Sequence, residues 1–338
     1  MEPNQRRLQN MFHTIDMHCD TLMHAFLEDG GNADVYHRPE LCIDAERLAE
    51  AGALAQFFAI YIIPDKAYEH FHRPALSHEE YISGCARVFR NTIERHSDVI
   101  AQAENASQIE TNFRNGKVSA VLTMEDGVAV NGKMEKLDEF YHMGIRALAL
   151  TWNFENCFGY PNSNDPMING KGLKPFGIEA VKHMQDIGML VDVSHLNDAG
   201  FDDVCRIAKV PFIASHSNAR AICRHSRNLT DDRIRALAKA GGVMGLNLMP
   251  GFLNDSEGSQ ISRIDDMVQM IQHEKEIAGI DVIAIGTDFD GFDGDKEIAS
   301  CDQLNRLYDA LAKAGFSAGE IEKIACGNVM RVIHEAMH

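Results

Sequence analysis

His18 and Asp20, Glu125, His195 and His216 stand where four short apolar runs end, and Asp288 closes a fifth such run. Imidazole and carboxylate together suit zinc and similar divalent ions, and this set has the composition of a two-metal hydrolase site. The chemistry it points to is metal-assisted hydrolysis. Six groups so far apart in the chain need a scaffold that gathers the ends of successive strands. A (β/α)8 barrel does so at the C-terminal mouth of its parallel strands.

Taken singly, each group has an ordinary alternative. In Asp16-Met17-His18-Cys19-Asp20 the histidine and second aspartate lie two apart, so on a strand both face one way and can grip one ion, with Cys19 turned into packing. A carboxylate at Glu125, after Val121-Leu122-Thr123-Met124, is costly unless compensated; two bridged cations, a helix N-terminus or an arginine would each serve. His195, after Val191-Asp192-Val193-Ser194, and His216, after Phe212-Ile213-Ala214-Ser215, could equally be satisfied core or loop histidines. The coincidence of position is what favours metal, because packing alone prefers apolar groups at these strand ends.

The acidic run from Thr287 to Gly291 superficially resembles a calcium loop. Counted from Asp288, its sixth position is Asp293 instead of glycine and its twelfth is Ala299 instead of glutamate, so the spacing fails. Asp288 is better placed as a proton shuttle or an anchor for a substrate amine. Arg227, beside Asn228 in the loop after His216, can hold a carboxylate bidentately. Its alternative is a solvated arginine paired with Asp231 or Asp232.

The elements that would position these groups are legible as eight near-continuous apolar runs: Ile15–Asp20, Ala55–Ile63, Ser119–Glu125, Arg146–Trp152, Met189–His195, Pro211–Ser217, Val243–Leu248 and Val282–Asp288. Helical spacing lies between them, at Phe201, Val204, Cys205 and Ala208 after an Asn197 cap, and at Ile264, Met267, Val268 and Ile271. Capping boxes at Ser77 to Glu80 and Ser317 to Glu320 open two more helices, and Gly241-Gly242 ends the one through Ile234 and Leu237. Phe154 to Pro175 is too long and too rich in Gly, Pro and Asn for a mere connector, so it reads as an active-site loop; Pro64 to Ser77 is a second candidate. With no linker or repeat, the expectation is an α/β chain with a disordered or extended head at residues 1–12 and a single (β/α)8 domain over 13–338.

The formal charge of −18 in 338 residues disfavours nucleic acid and anionic membranes as partners. Eight scattered cysteines, without a Cys-x-x-Cys pair, suit reduced thiols in the cytoplasm. The polar start has no apolar stretch after it, and Ala53 to Ile63 is too short to span a bilayer, so no export signal or anchor is readable.

A series of motifs then resembles the renal dipeptidase, or membrane dipeptidase, family of zinc peptidases over nearly the whole chain. They are Asp16-Met17-His18-Cys19-Asp20, Glu125-Asp126-Gly127, the stretch from Gly172 to Gly177, Val191-Asp192-Val193-Ser194-His195, Ser215-His216-Ser217-Asn218-Ala219-Arg220, Arg227-Asn228-Leu229, the stretch from Gly286 to Gly291, and the one from Gly327 to Val332. The resemblance implies a distorted (β/α)8 barrel with two Zn2+ per subunit: one on His18 and Asp20, the other on His195 and His216, with Glu125 bridging. It further implies that Arg227 holds the substrate's terminal carboxylate and that Asp288 handles the proton reaching the leaving amine. Some members carry a histidine after the fourth strand that contacts the scissile carbonyl; Trp152 and Asn153 stand there instead, which makes them the candidates for that substrate contact. The expected function is a cytoplasmic, homodimeric dipeptidase acting through a zinc-bridged hydroxide, with a C-terminal D-residue among the substrates considered. The rivals are an amidohydrolase for N-acyl amino acids or cyclic amides, and a catalytically silent metal-binding barrel.

Overall fold

The computed structural model describes residues 12–255 and 260–338. Apart from Phe12, the expected head therefore lies outside the described residues. All eight apolar runs form parallel strands: β1 (Ile15–Asp16), β2 (Ala55–Tyr61), β3 (Val118–Glu125), β4 (Ile145–Ala149), β5 (Leu190–Asp192), β6 (Ile213–Ala214), β7 (Val243–Leu246) and β8 (Ile283–Ile285). Each pairs with the next, and β8 pairs with β1 at Asp16 and Ile285, which closes the cylinder. The molecule is a (β/α)8 barrel.

Alternation along the strands divides the core in two, because successive side chains point to opposite faces. One cluster takes Ile15, Phe57, Val121, Ala147, Leu190, Ile213, Val243 and Ala284, one from every strand, and packs them with Val329, Val332 and Ile333 of the C-terminal helix Asn328–Ala336. This is the barrel interior. The intervening residues, such as Phe58, Leu122, Leu148, Val191 and Met244, face the surrounding helices. A short strand absent from the sequence reading, Ile100–Gln102, pairs with the start of β3, whereas β4 pairs with its end across a register shift between Leu122 and Thr123. The barrel is distorted at that seam.

The anticipated helix signals form as read. Asn197 accepts from the Gly200 N–H to open Asp198–Ile207, and both capping boxes close, over His78–Arg95 and Ala318–Glu322. Ile264–Ala278 and Asp231–Lys239 cover the other two.

Most strands are shorter than their apolar runs, and the difference matters for the site. β1, β5, β6 and β8 stop two or three residues before His18, His195, His216 and Asp288; only Glu125 lies within its strand. Had β1, β5 and β6 continued regularly from inward-facing Ile15, Leu190 and Ile213, His18, His195 and His216 would fall on the outer face. Breaking the strands early turns these side chains over the mouth. The left-handed backbone at His195 (φ 67°) and Asp288 (φ 62°) marks two of these turns.

The segment from Phe154 to Pro175 carries one short helix, Pro166–Asn169, and folds back on the mouth. Asn162 N–H donates to the His195 carbonyl at 2.6 Å, and Pro161 bridges Leu196. The segment from Pro64 to Ser77 carries a 3-10 turn at Asp65–Glu69.

Candidate metal centre

The six expected groups meet at the C-terminal mouth, all buried. His18 Nε2 lies 3.7 Å from Asp20 Oδ1, 3.5 Å from Glu125 Oε2 and 3.9 Å from Asp288 Oδ1. On the other side of Glu125, Oε1 lies 2.8 Å from His195 Nε2 and 3.4 Å from His216 Nε2. Glu125 thus divides its two oxygens between two donor groups. The His18 and His216 rings stack at 3.8 Å and tie the halves together.

Three donor sets arise: His18 with Asp20 and Glu125, Glu125 with His195 and His216, and His18 with His216 and Asp288. His18 Nε2 and Asp20 Oδ1 are buried without a hydrogen-bond partner among the described residues. Buried polar atoms are ordinarily satisfied, so two orphans facing one space suit a cation. Space is also kept clear beside them. A Cβ at Gly291 would stand 2.4 Å from Asp20 Oδ2 and 2.5 Å from Asp288 Oδ1. The mixed nitrogen and oxygen donors fit zinc or a similar divalent ion.

Electrostatics agree with that fit. Burial pushes the Glu125 carboxyl up to about 7 and that of Asp288 up to about 6. Burial, reinforced by the charges of Arg227 and His18, holds His195 and His216 well below the usual imidazole range. Neutral imidazole is the form that ligates metal. At His18 burial acts in the same downward direction, but the Glu125 and Asp20 carboxylates outweigh it and raise the ring.

Arg227 is 4% exposed and pairs with neither Asp231 nor Asp232. It donates to the His216 carbonyl and to Ser217 Oγ, both at 2.8 Å, while its buried Nε finds no partner among the described residues. Asp288 accepts from Asn247 Nδ2 at 2.9 Å through Oδ2, which leaves Oδ1 toward His18. Trp152 stands between Tyr61 (5.0 Å) and Phe154 (5.7 Å), with its ring 6.2 Å from His195. Asn153 Oδ1 accepts from His195 Nδ1 at 3.2 Å.

Several supporting residues were missed by the sequence reading. Asp16 accepts from Thr287 N–H and Oγ1, joining β1 to the loop that bears Asp288. Asp192 and Ser215 stand behind His216, and Asn247 behind Asp288. Their one signal was a polar residue inside an apolar run, as in Val191-Asp192-Val193.

Comparison with known proteins bears on this geometry. The family model described as membrane dipeptidase, peptidase family M19, matches residues 3–338. The chain belongs to the membrane dipeptidase family. A family relative from Klebsiella pneumoniae, an uncharacterized protein of the pqqA 5' region, is 34% identical over 237 residues, covering 68% of this chain and 86% of its own. An uncharacterized dipeptidase of Schizosaccharomyces pombe is 29% identical over 299 residues, 86% of this chain and 71% of the relative. The fold matches a metallopeptidase from Rhodobacter sphaeroides, solved with a phosphinate mimic of the dipeptide L-Ala-D-Ala, at a TM-score of 0.85 and 24% identity, covering 97% of this chain and 100% of that one. Membership in the membrane dipeptidase family makes this chain a metallo-dipeptidase-type hydrolase.

Proposed function

We propose that the chain hydrolyses the peptide bond of dipeptides, including those with a C-terminal D-residue, with two zinc ions. His18, Asp20 and Glu125 would hold one, and Glu125, His195 and His216 the other. The observation that carries the reading is Glu125, whose two oxygens face two separate histidine groups inside a buried mouth. Bound ions would supply water acidic enough to lose a proton near neutral pH and would polarise the scissile carbonyl.

The remaining work falls to side chains. Asp288 Oδ1 takes a proton at the mouth and returns it to the departing amine, a role suited to a carboxyl raised to about 6. Arg227 places a buried positive charge for the substrate's carboxylate, which limits substrates to those whose chain ends one residue beyond the scissile bond. Trp152 and Asn153 flank the place of the scissile carbonyl, Trp152 as an aromatic wall beside His195. The mimic of L-Ala-D-Ala bound by the Rhodobacter sphaeroides relative supports the D-residue. The reading takes residues 13–338 as one catalytic domain. It places the enzyme in the cytoplasm, on its scattered free cysteines, and as a homodimer, on the family resemblance. Among the described residues no helix is long and apolar enough to cross a membrane.

Metal analysis coupled to a panel of L,L- and L,D-dipeptides, with N-blocked and cyclic amides beside them, tests this. Free dipeptides should be cleaved and blocked ones refused, and Arg227→Ala should chiefly raise KM. Cleavage of only blocked or cyclic amides replaces the reading with another amidohydrolase. Full metal occupancy without any turnover leaves a binding protein.

A further inference from the structure

His216 can offer Nε2 to a cation only while its ring hydrogen sits on Nδ1, and the atoms behind the ring decide where that hydrogen sits. Asp192, at the end of β5, has both oxygens engaged. Oδ1 accepts from the backbone N–H of Ser194 at 2.9 Å and of Ser215 at 3.0 Å, and Oδ2 accepts from the Ser215 hydroxyl. A hydroxyl has one hydrogen. Having donated it to Asp192, Ser215 Oγ meets His216 Nδ1, 2.7 Å away, as an acceptor. Nδ1 therefore carries the hydrogen, and Nε2 turns a bare lone pair toward His195 Nε2 at 3.1 Å and Glu125 Oε1 at 3.4 Å. Ser194 Oγ accepts from the His216 N–H at 3.1 Å and fixes the backbone of the same residue.

We propose that Asp192 and Ser215 are positioning residues that hold His216 in the ring tautomer its metal requires. The proposal rests on the metal-centre reading above. Asp192→Asn separates it from a merely structural role. Two N–H donors pin Oδ1, so the amide must keep its oxygen there and turn its NH2 toward Ser215 Oγ. Ser215 would then accept from the amide and donate its own hydrogen to Nδ1. The ring tautomer reverses and Nε2 carries a hydrogen into the ion's place, while side-chain volume and both backbone contacts are kept.

The experiment uses the full chain, stripped of metal and labelled with 15N at histidine. Long-range proton–nitrogen spectra should show the Nδ1–H form at His216 in the unmodified chain and the Nε2–H form in Asp192→Asn. Ser215→Ala should show a mixture of both. In zinc titrations of the same samples, Asp192→Asn should weaken one of the two ions by about 10- to 100-fold and spare the other. An unchanged tautomer in Asp192→Asn overturns the proposal, whether or not affinity falls. An unmodified chain that shows the Nδ1–H form yet takes up no zinc supports the tautomer assignment and sinks the metal-centre reading instead.

Discussion

At the scale of the residue, one missing carbon is enough to keep the mouth open. Gly291 has an ordinary backbone, so alanine is not refused by its torsion angles; it is refused by the Asp20 and Asp288 oxygens within 2.5 Å of where its Cβ would stand. Gly291→Ala should therefore lower kcat/KM by about 100-fold or more through displaced carboxylates, with the far-UV circular dichroism unchanged. A variant of near-normal rate would show that the two acids have slack. Arg227 teaches the complementary lesson. Its residue type and loop were readable, but a buried guanidinium and a solvated one look alike in a sequence, because both follow a polar loop. Its burial comes from packing between the His216 carbonyl, Ser217 and Phe252.

At the scale of the element, the loop after β4 is held through a helix cap. Asn197 opens Asp198–Ile207 with Oδ1, and its Nδ2 donates to the carbonyls of Ile168 and Lys171, both at 2.8 Å. Asn197→Ala removes a cap and orphans two carbonyls, a loss of about 2–3 kcal/mol. Asn197→Asp keeps the cap alone. Urea denaturation should rank the unmodified chain above Asp and Asp above Ala; equal values for the unmodified chain and Asp would mean that the loop contacts contribute nothing.

Glu274, in Ile264–Ala278, presents the reverse case. It is fully buried, both oxygens lack a partner among the described residues, and burial holds its carboxyl well above the usual range. The folded chain keeps a proton that the unfolded chain releases above about pH 4.3, so this residue subtracts stability as pH rises past that value. Glu274→Met should stabilise by about 1–3 kcal/mol at neutral pH and flatten the fall of melting temperature between pH 4 and 8. An unaltered pH profile would show that the carboxyl is satisfied after all.

At the scale of the whole molecule, the proposed ions join segments far apart in the chain, from His18 after β1 through Glu125 on β3 to His216 after β6. They bind the folded chain alone, since the unfolded one scatters the donors. An ion at a hundred times its dissociation constant adds about 2.7 kcal/mol. Exhaustive chelation should thus lower the melting temperature by roughly 5 °C, and zinc should restore it. A melting curve indifferent to chelator and zinc would argue against tight ions.

How much of this was legible follows a physical line. Eight apolar runs, their intervening helix caps and the donor residues closing those runs are local patterns, and local patterns determine secondary structure and residue chemistry. The barrel and the identity of the six mouth residues were accordingly available from sequence alone. Where the strands stop was not. A regular continuation would have sent His18, His195 and His216 outward, and the early breaks that turn them inward arise from pairing with neighbours distant in the chain, such as Asp16 with Thr287. The same holds for the Asp192 and Ser215 contacts behind His216 and for the space beside Gly291. Only closure of the cylinder brings those atoms together, since no periodicity along one segment encodes a distance to another.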